Sequence, residues 1–241
     1  MTAASQDTVQ SAGPGESANP GGPGPEQASV VDAIRDAITS GEFSPNQRLV
    51  EAELSEGFGA SRAAVRNALL HLAGEGLVER IQNRGARVRA VSLEEAIEIT
   101  EARMVLEGLC AAKTAERATA ADRDRLREIG AQMQQAVAVG DVLGYSDLNK
   151  QLHALIRTLS GQHTACDVLE RLRLQNVRHQ FRLAMYPGRP AVSLPQHLEI
   201  IEAVCDADPE AAEAAVRRHL RSVIDALPEV DKARPRRFDA V

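Results

Sequence analysis

Apolar residues recur four apart along almost the whole of this chain and fall into a period of two in one short stretch only, which restricts the fold to a mainly α-helical protein carrying a single hairpin. Val30, Ile34 and Ile38 make one stripe of a helix that Gly41 stops. Val50, Leu54 and Phe58 make a second, closed by Gly57 and Gly59. Ser61 is placed to cap a third helix, in which Val65, Ala68, Leu69 and Leu72 face inward while Arg62, Ala63, Arg66 and Asn67 face out. The alternating stretches LVERIQ and ARVRAV flank Asn83-Arg84-Gly85 and read as two strands joined by a glycine-bearing turn. Three helices followed by a hairpin spell a winged helix-turn-helix, expected over residues 28–91. After Ser92 the pattern is helical throughout, with breaks near Thr119, Gly140, Gly161, residues 187–195 and residues 207–209, so six segments are expected in an all-α antiparallel bundle over residues 92–228. Residues 1–27, rich in Gly, Pro, Ala, Ser and Gln, read as a disordered arm, and residues 229–241 as a tail.

A length of 241 residues fits two such units. No stretch approaches the roughly 20 apolar residues of a membrane helix. The start MTAASQDTVQ has neither the basic run nor the apolar core of a secretory signal. Three dispersed cysteines, Cys110, Cys166 and Cys205, form no CxxC pair and read as reduced packing residues, so a cytoplasmic protein is expected. Aromatic residues are 2% of the chain, too few for the stacking surfaces that hold unpaired bases.

The net charge of −6 conceals a division that matters more. Residues 60–91 hold six arginines against two glutamates, whereas residues 30–59 hold two arginines against six acids. Basic charge therefore concentrates on the third helix and the hairpin, where a duplex would dock. Arg62 and Arg66, four apart near the N-terminus of that helix, suit reading guanine in the major groove, or else pair with acids in solvent. Arg84 and Gly85 at the hairpin tip, with Arg87 and Arg89 behind them, suit the adjacent minor groove and phosphates.

These residues carry a resemblance. Ser44-Pro45-Asn46-Gln47-Arg48-Leu49, Glu51-Ala-Glu-Leu, the run from Gly59 to Leu69, Gly76-Leu77-Val78 and Asn83 to Val88 together resemble the GntR family of bacterial transcription regulators. The resemblance implies that Ser61, Arg62 and Arg66 touch double-stranded operator DNA and that Gly85 is the wing tip. The chain departs from the family pattern at Asn46, where Gly is usual, at Ala64, where Pro is common, and at Asn67, where Glu is common. An amide at position 67 both donates and accepts, so Asn67 is a candidate for altered operator preference.

In the helical half the histidines stand out. A lone helical His is more often a surface or core residue than a ligand, and His71, His163 and His179 are left there. Asn149 and His153, four apart, lie within about 40° on one helix face and can meet one ion, which Asp147 cannot join. With His197 and His219 they offer three imidazoles and an oxygen, a set suited to Zn²⁺, Ni²⁺ or a similar divalent ion. The second half resembles the FCD domain of the FadR-like branch, on Glu101 to Glu107, Asn149 to His153 with Ser160-Gly161, His197 with Ile200 and Ile201, and Asp208-Pro-Glu-Ala-Ala with His219. The resemblance implies that this set binds a metal deep in a cavity, often with Asp where Asn149 stands. An uncharged Asn leaves the ion's charge unbalanced by protein and favours a small carboxylate effector. Arg103 is a second candidate for that carboxylate, with an ion pair to Glu107 as the alternative. Arg178 and Arg182 either line the same cavity or face water.

The expected function is a homodimeric, DNA-binding regulator of repressor type, not an enzyme, whose operator affinity a small organic acid controls. A regulator that senses the metal itself is the alternative. A metal-dependent hydrolase would use the same histidines but leaves residues 30–91 unexplained and has no HExxH motif to supply a base.

Overall fold

The structure is a computed structural model that describes residues 25–81 and 85–233. The arm expected over residues 1–27 falls outside these up to residue 24, as does most of the tail, and so do Asn83 and Arg84 at the expected turn.

Helix α1 (Pro25–Ser40) buries Val30, Val31, Ile34 and Ile38 against α3 (Arg62–Gly74). Between them lie strand β1 (Arg48–Leu49) and helix α2 (Glu51–Gly57), which buries Leu54. Ser61 caps α3, its hydroxyl accepting from Ala64 N at 3.2 Å. Strands β2 (Val78–Ile81) and β3 (Gly85–Val88) follow, and β1 adds to β3, giving an antiparallel sheet of order β1-β3-β2 with Leu49 opposite Ala86 and Val78 opposite Val88. The expected hairpin is thus the larger part of a three-stranded sheet. Two residues are too short a run for any period, which is why β1 left no mark in the hydrophobic pattern. Gly85, with φ +87°, starts β3 where a Cβ would meet Leu49 O at 3.0 Å.

Seven helices follow among the described residues: α4 (Leu93–Arg117), α5 (Ala120–Ala138), α6 (Val142–Ser160), α7 (His163–Gln175), α8 (Val177–Ala184), α9 (Arg189–Cys205) and α10 (Pro209–Lys232). Ser92 caps α4, a Thr119–Asp122 capping box opens α5, and Asp208 caps α10 ahead of Pro209. Two departures from the expected six segments have local causes. Asn176 divides α7 from α8 without Gly or Pro, because its side chain is buried and donates to Thr100 Oγ1 at 3.3 Å on α4. Residues 187–195, expected as a break, mostly join α9: Pro190 sits in the first turn, where no amide hydrogen is needed, and Pro195 is carried inside the helix at the loss of one hydrogen bond.

A single apolar core joins α4, α5, α6, α9 and α10, with Leu126, Met133, Leu152, Ile200 and Val204 fully enclosed. Thr114 crosses it to donate to Ile156 O at 2.7 Å, tying α4 to α6. The N-terminal half is held to this bundle by the α7–α8 region. Gln175 Nε2 donates to Glu75 O at 2.9 Å, His179 Nε2 to Val91 O at 3.1 Å, and Arg178 to the carbonyls of Ile38 and Phe43. Arg178 therefore binds the junction with α1.

Candidate metal centre and nucleic-acid interface

The first two turns of the capped α3 present Arg62, Arg66 and Asn67 to solvent, while Val65, Ala68 and Leu69 are buried. Arg62 and Arg66 share a hollow of about 480 Å³ with Arg48 of β1, Arg80 of β2 and Gly85 of β3. Four arginines from three elements thus converge where sequence reasoning had singled out only the two on the helix. Arg48 was missed because it lies in an otherwise acidic stretch. Arg66 Nη2 is paired with Glu51 Oε2 at 3.1 Å, so part of the charge is covered in the free protein. Arg87 pairs with Glu79 at 2.8 Å and Arg89 with Glu95, which occupies both of the arginines expected behind the wing tip. Arg84 lies outside the described residues.

In the bundle, His153 of α6, His197 of α9 and His219 of α10 are buried, and one ligating atom from each lies within 4.8 Å of the others. Ring centroids are 5.4 Å apart for His153 and His197, 5.5 Å for His153 and His219, and 4.4 Å for His197 and His219. Each Nδ1 faces its own group: Tyr145 Oη at 2.8 Å from His197 and Gln196 Oε1 at 3.0 Å from His219 as hydrogen bonds, and Glu107 Oε2 at 3.1 Å from His153 as an ion-pair contact. An imidazole whose Nδ1–H is engaged in this way offers its Nε2 lone pair, the arrangement that orients a metal-binding histidine. His197 Nε2 is buried and has no hydrogen-bond partner, and neither has Asn149 Oδ1, one helical turn before His153.

The electrostatics point the same way. Burial lowers the pKa of all three imidazoles, and their mutual proximity depresses His197 and His219 further, well below the usual range. They are neutral at pH 7, as ligands must be. For Glu107 burial works to raise the pKa, but Arg103 and His153 outweigh it and hold the carboxylate ionised. Arg103 Nε and Nη2 both donate to Glu107 Oε1, at 2.9 and 2.7 Å, so the i to i+4 ion pair is formed. Sequence reasoning had weighed that pair for Arg103 but missed Glu107, Tyr145 and Gln196 as orienting groups. Tyr145, Asn149 and His153 are each four apart on α6, a spacing that carried the signal for Tyr145.

A cavity of about 490 Å³ opens beside these groups, lined by Asn149, His153, His219, Ser146, Arg103 and Arg173, and also by Asp36, Thr39 and Ser40 of α1.

Comparison with known proteins agrees with this architecture. Residues 26–88 match the family described as bacterial regulatory proteins, gntR family, and residues 98–222 match the FCD domain. The chain belongs to the GntR family of DNA-binding transcriptional regulators, in the branch that carries an FCD domain. It is 26% identical over 206 residues to the HTH-type transcriptional repressor RspR of Escherichia coli, covering 86% of this chain and 90% of that protein. It is 28% identical over 211 residues to the HTH-type transcriptional regulator LutR of Bacillus subtilis, covering 79% and 95%. Among solved structures, E. coli McbR/YncC superposes with a TM-score of 0.70 at 22% identity over 85% of this chain and 97% of that one. A GntR regulator from Rhodococcus sp. RHA1 gives 0.63 at 26% identity over 87% and 99%. The family and these relatives are regulators, not enzymes. No helix among the described residues is long and apolar enough to cross a membrane.

Proposed function

We propose that this regulator is a homodimeric repressor whose operator affinity is set by a small organic acid bound beside a divalent metal ion in the helical half. In this reading residues 28–91 bind DNA and residues 92–228 bind the effector and pair the subunits. The observation that carries it is the cluster of three buried imidazoles, two of which, His153 and His219, line a cavity that residues of α1 also line.

His153, His197 and His219 would hold the ion with Asn149. The fit rests on two of the buried atoms left without hydrogen-bond partners, His197 Nε2 and Asn149 Oδ1, which a cation would satisfy. Such an ion supplies a positive charge that attracts an anion. Three neutral imidazoles and a neutral amide leave that charge unbalanced, which selects for a carboxylate. Glu107, Tyr145 and Gln196 keep the rings oriented. In this reading Arg62, Arg66 and Asn67 face the major groove, Ser61 caps their helix, Gly85 marks the wing, and Arg84, outside the described residues, is a further candidate for DNA contact. Two half-sites call for two subunits. Val105 and Leu109 of α4, 51% and 37% exposed, and the exposed Val168 of α7 offer apolar surface for pairing.

Gel-shift assays with metal-free protein, metal alone, and metal with organic acids test this reading. Release from DNA only when metal and acid are both present supports it. Release by metal alone supports a metal sensor instead, and the same histidines would serve that reading.

A further inference from the structure

The cavity holds a second cationic group, on α7, that the proposed metal centre leaves unused. Arg173 lines the cavity together with Asn149, His153 and His219. Its guanidinium has no hydrogen bond or ion pair among the described residues, although the side chain is half-buried. Burial and the like charge of Arg157 lower its pKa to about 10, so it remains a cation at neutral pH. A guanidinium withdrawn from water is costly unless its donors are met, and its planar fork matches a carboxylate.

Glu107 and Glu170 lie close enough for their charges to act on it, but neither forms an ion pair with it among the described residues. Arg103 and Glu107 are committed to each other, with the second oxygen of Glu107 turned to His153. Lys150 is held by Asp147 at 2.9 Å. Asp36, on α1, lines the same cavity but makes no ion pair with Arg173.

Building on the proposed acid and metal reading, we infer that Arg173 anchors a second carboxylate, so that the cavity takes a dicarboxylic acid with one end toward the histidines and Asn149 and the other on Arg173. A monoanion balances only one of the two cationic groups and leaves the other without a carboxylate partner. A volume of about 490 Å³ that His153, His219, Asn149 and Arg173 all line accommodates a short diacid.

The test titrates zinc-loaded full-length protein, by calorimetry, with three matched pairs: succinate and butyrate, glutarate and valerate, adipate and hexanoate. At least one diacid should bind tenfold or more tighter than its partner, roughly the worth of a charge-assisted contact. Arg173→Gln should abolish that preference, while Arg173→Lys, which keeps the charge, should retain part of it; thermal melting of each variant shows that it is folded. A preference that survives Arg173→Gln, or no preference in the unaltered protein, including no binding of any probe, overturns the inference. Zinc content, measured on the same samples, separates the two readings. Zinc uptake without a diacid preference removes the role of Arg173 alone. An Arg173-dependent preference without zinc uptake supports Arg173 and removes the metal.

Discussion

Glu107 divides its two oxygens between two residues: Oε1 accepts both donors of Arg103, and Oε2 lies 3.1 Å from His153 Nδ1. One buried carboxylate thus neutralises an arginine and fixes the ring of a candidate ligand. Glu107→Ala strands the Arg103 charge in the interior and should cost about 3–5 kcal/mol in urea denaturation. Glu107→Gln keeps the shape but weakens the hold on the ring, and should lower zinc affinity by about 10- to 100-fold in competition with a chelator. Unchanged zinc affinity in Glu107→Gln would remove the orienting role.

The buried imidazoles make the metal-free protein acid-sensitive. In the unfolded chain a histidine takes up its proton near pH 6.5, whereas His153, His197 and His219 resist protonation when folded. Below pH 6.5 the unfolded state therefore binds more protons, and stability falls as pH falls. Glu107, depressed below its ordinary 4.5, adds a loss in the same direction at lower pH. Between pH 6.5 and 5 the stability measured in urea should decline by up to about 1.4 kcal/mol per pH unit for each imidazole. His197→Gln should flatten that slope, and a slope unchanged in the variant would show that His197 is not held neutral by the fold.

Arg62→Ala and Arg66→Ala should each weaken operator binding by roughly tenfold to a hundredfold and relax sequence preference, as expected of an arginine bidentate to guanine. Arg66 must first leave Glu51. Glu51→Gln should accordingly raise DNA affinity and steepen its dependence on salt, read by fluorescence anisotropy across a salt series.

Gly85→Ala places a side chain where φ is +87° and Leu49 O lies 3.0 Å from the new carbon. The expected cost is about 1–3 kcal/mol of stability, with weaker operator binding as the wing shifts off β1. Equal denaturation midpoints for variant and parent would contradict the close β1–β3 approach.

Local signals account for what the sequence revealed. The cap at Ser61, the stripe from Val65 to Leu72 and the alternation around Gly85 are contained within a few residues each, so the helix and hairpin were legible. Asn149 and His153 were legible because a single helix face holds both. Features made by residues far apart in the chain were not. Strand β1 exists only because β3 pairs with it, and the break at Asn176 only because Thr100 lies 76 residues away to receive its side chain. Gln196 and Glu107 became orienting groups through the packing of α4, α6, α9 and α10. Arg173 stood out only when its lack of a partner could be seen.

Asp36, Thr39 and Ser40 stand in the wall of the cavity while Ile38, on the same helix, is gripped from α8 by Arg178. The pose of the DNA-facing half and the shape of the chamber are therefore a single mechanical coordinate: α1 cannot swing without unroofing the space behind it. By thermodynamic reciprocity, an occupant that bound one pose of α1 better than another would favour that pose, and DNA that selected a pose would retune the grip on that occupant by the same factor.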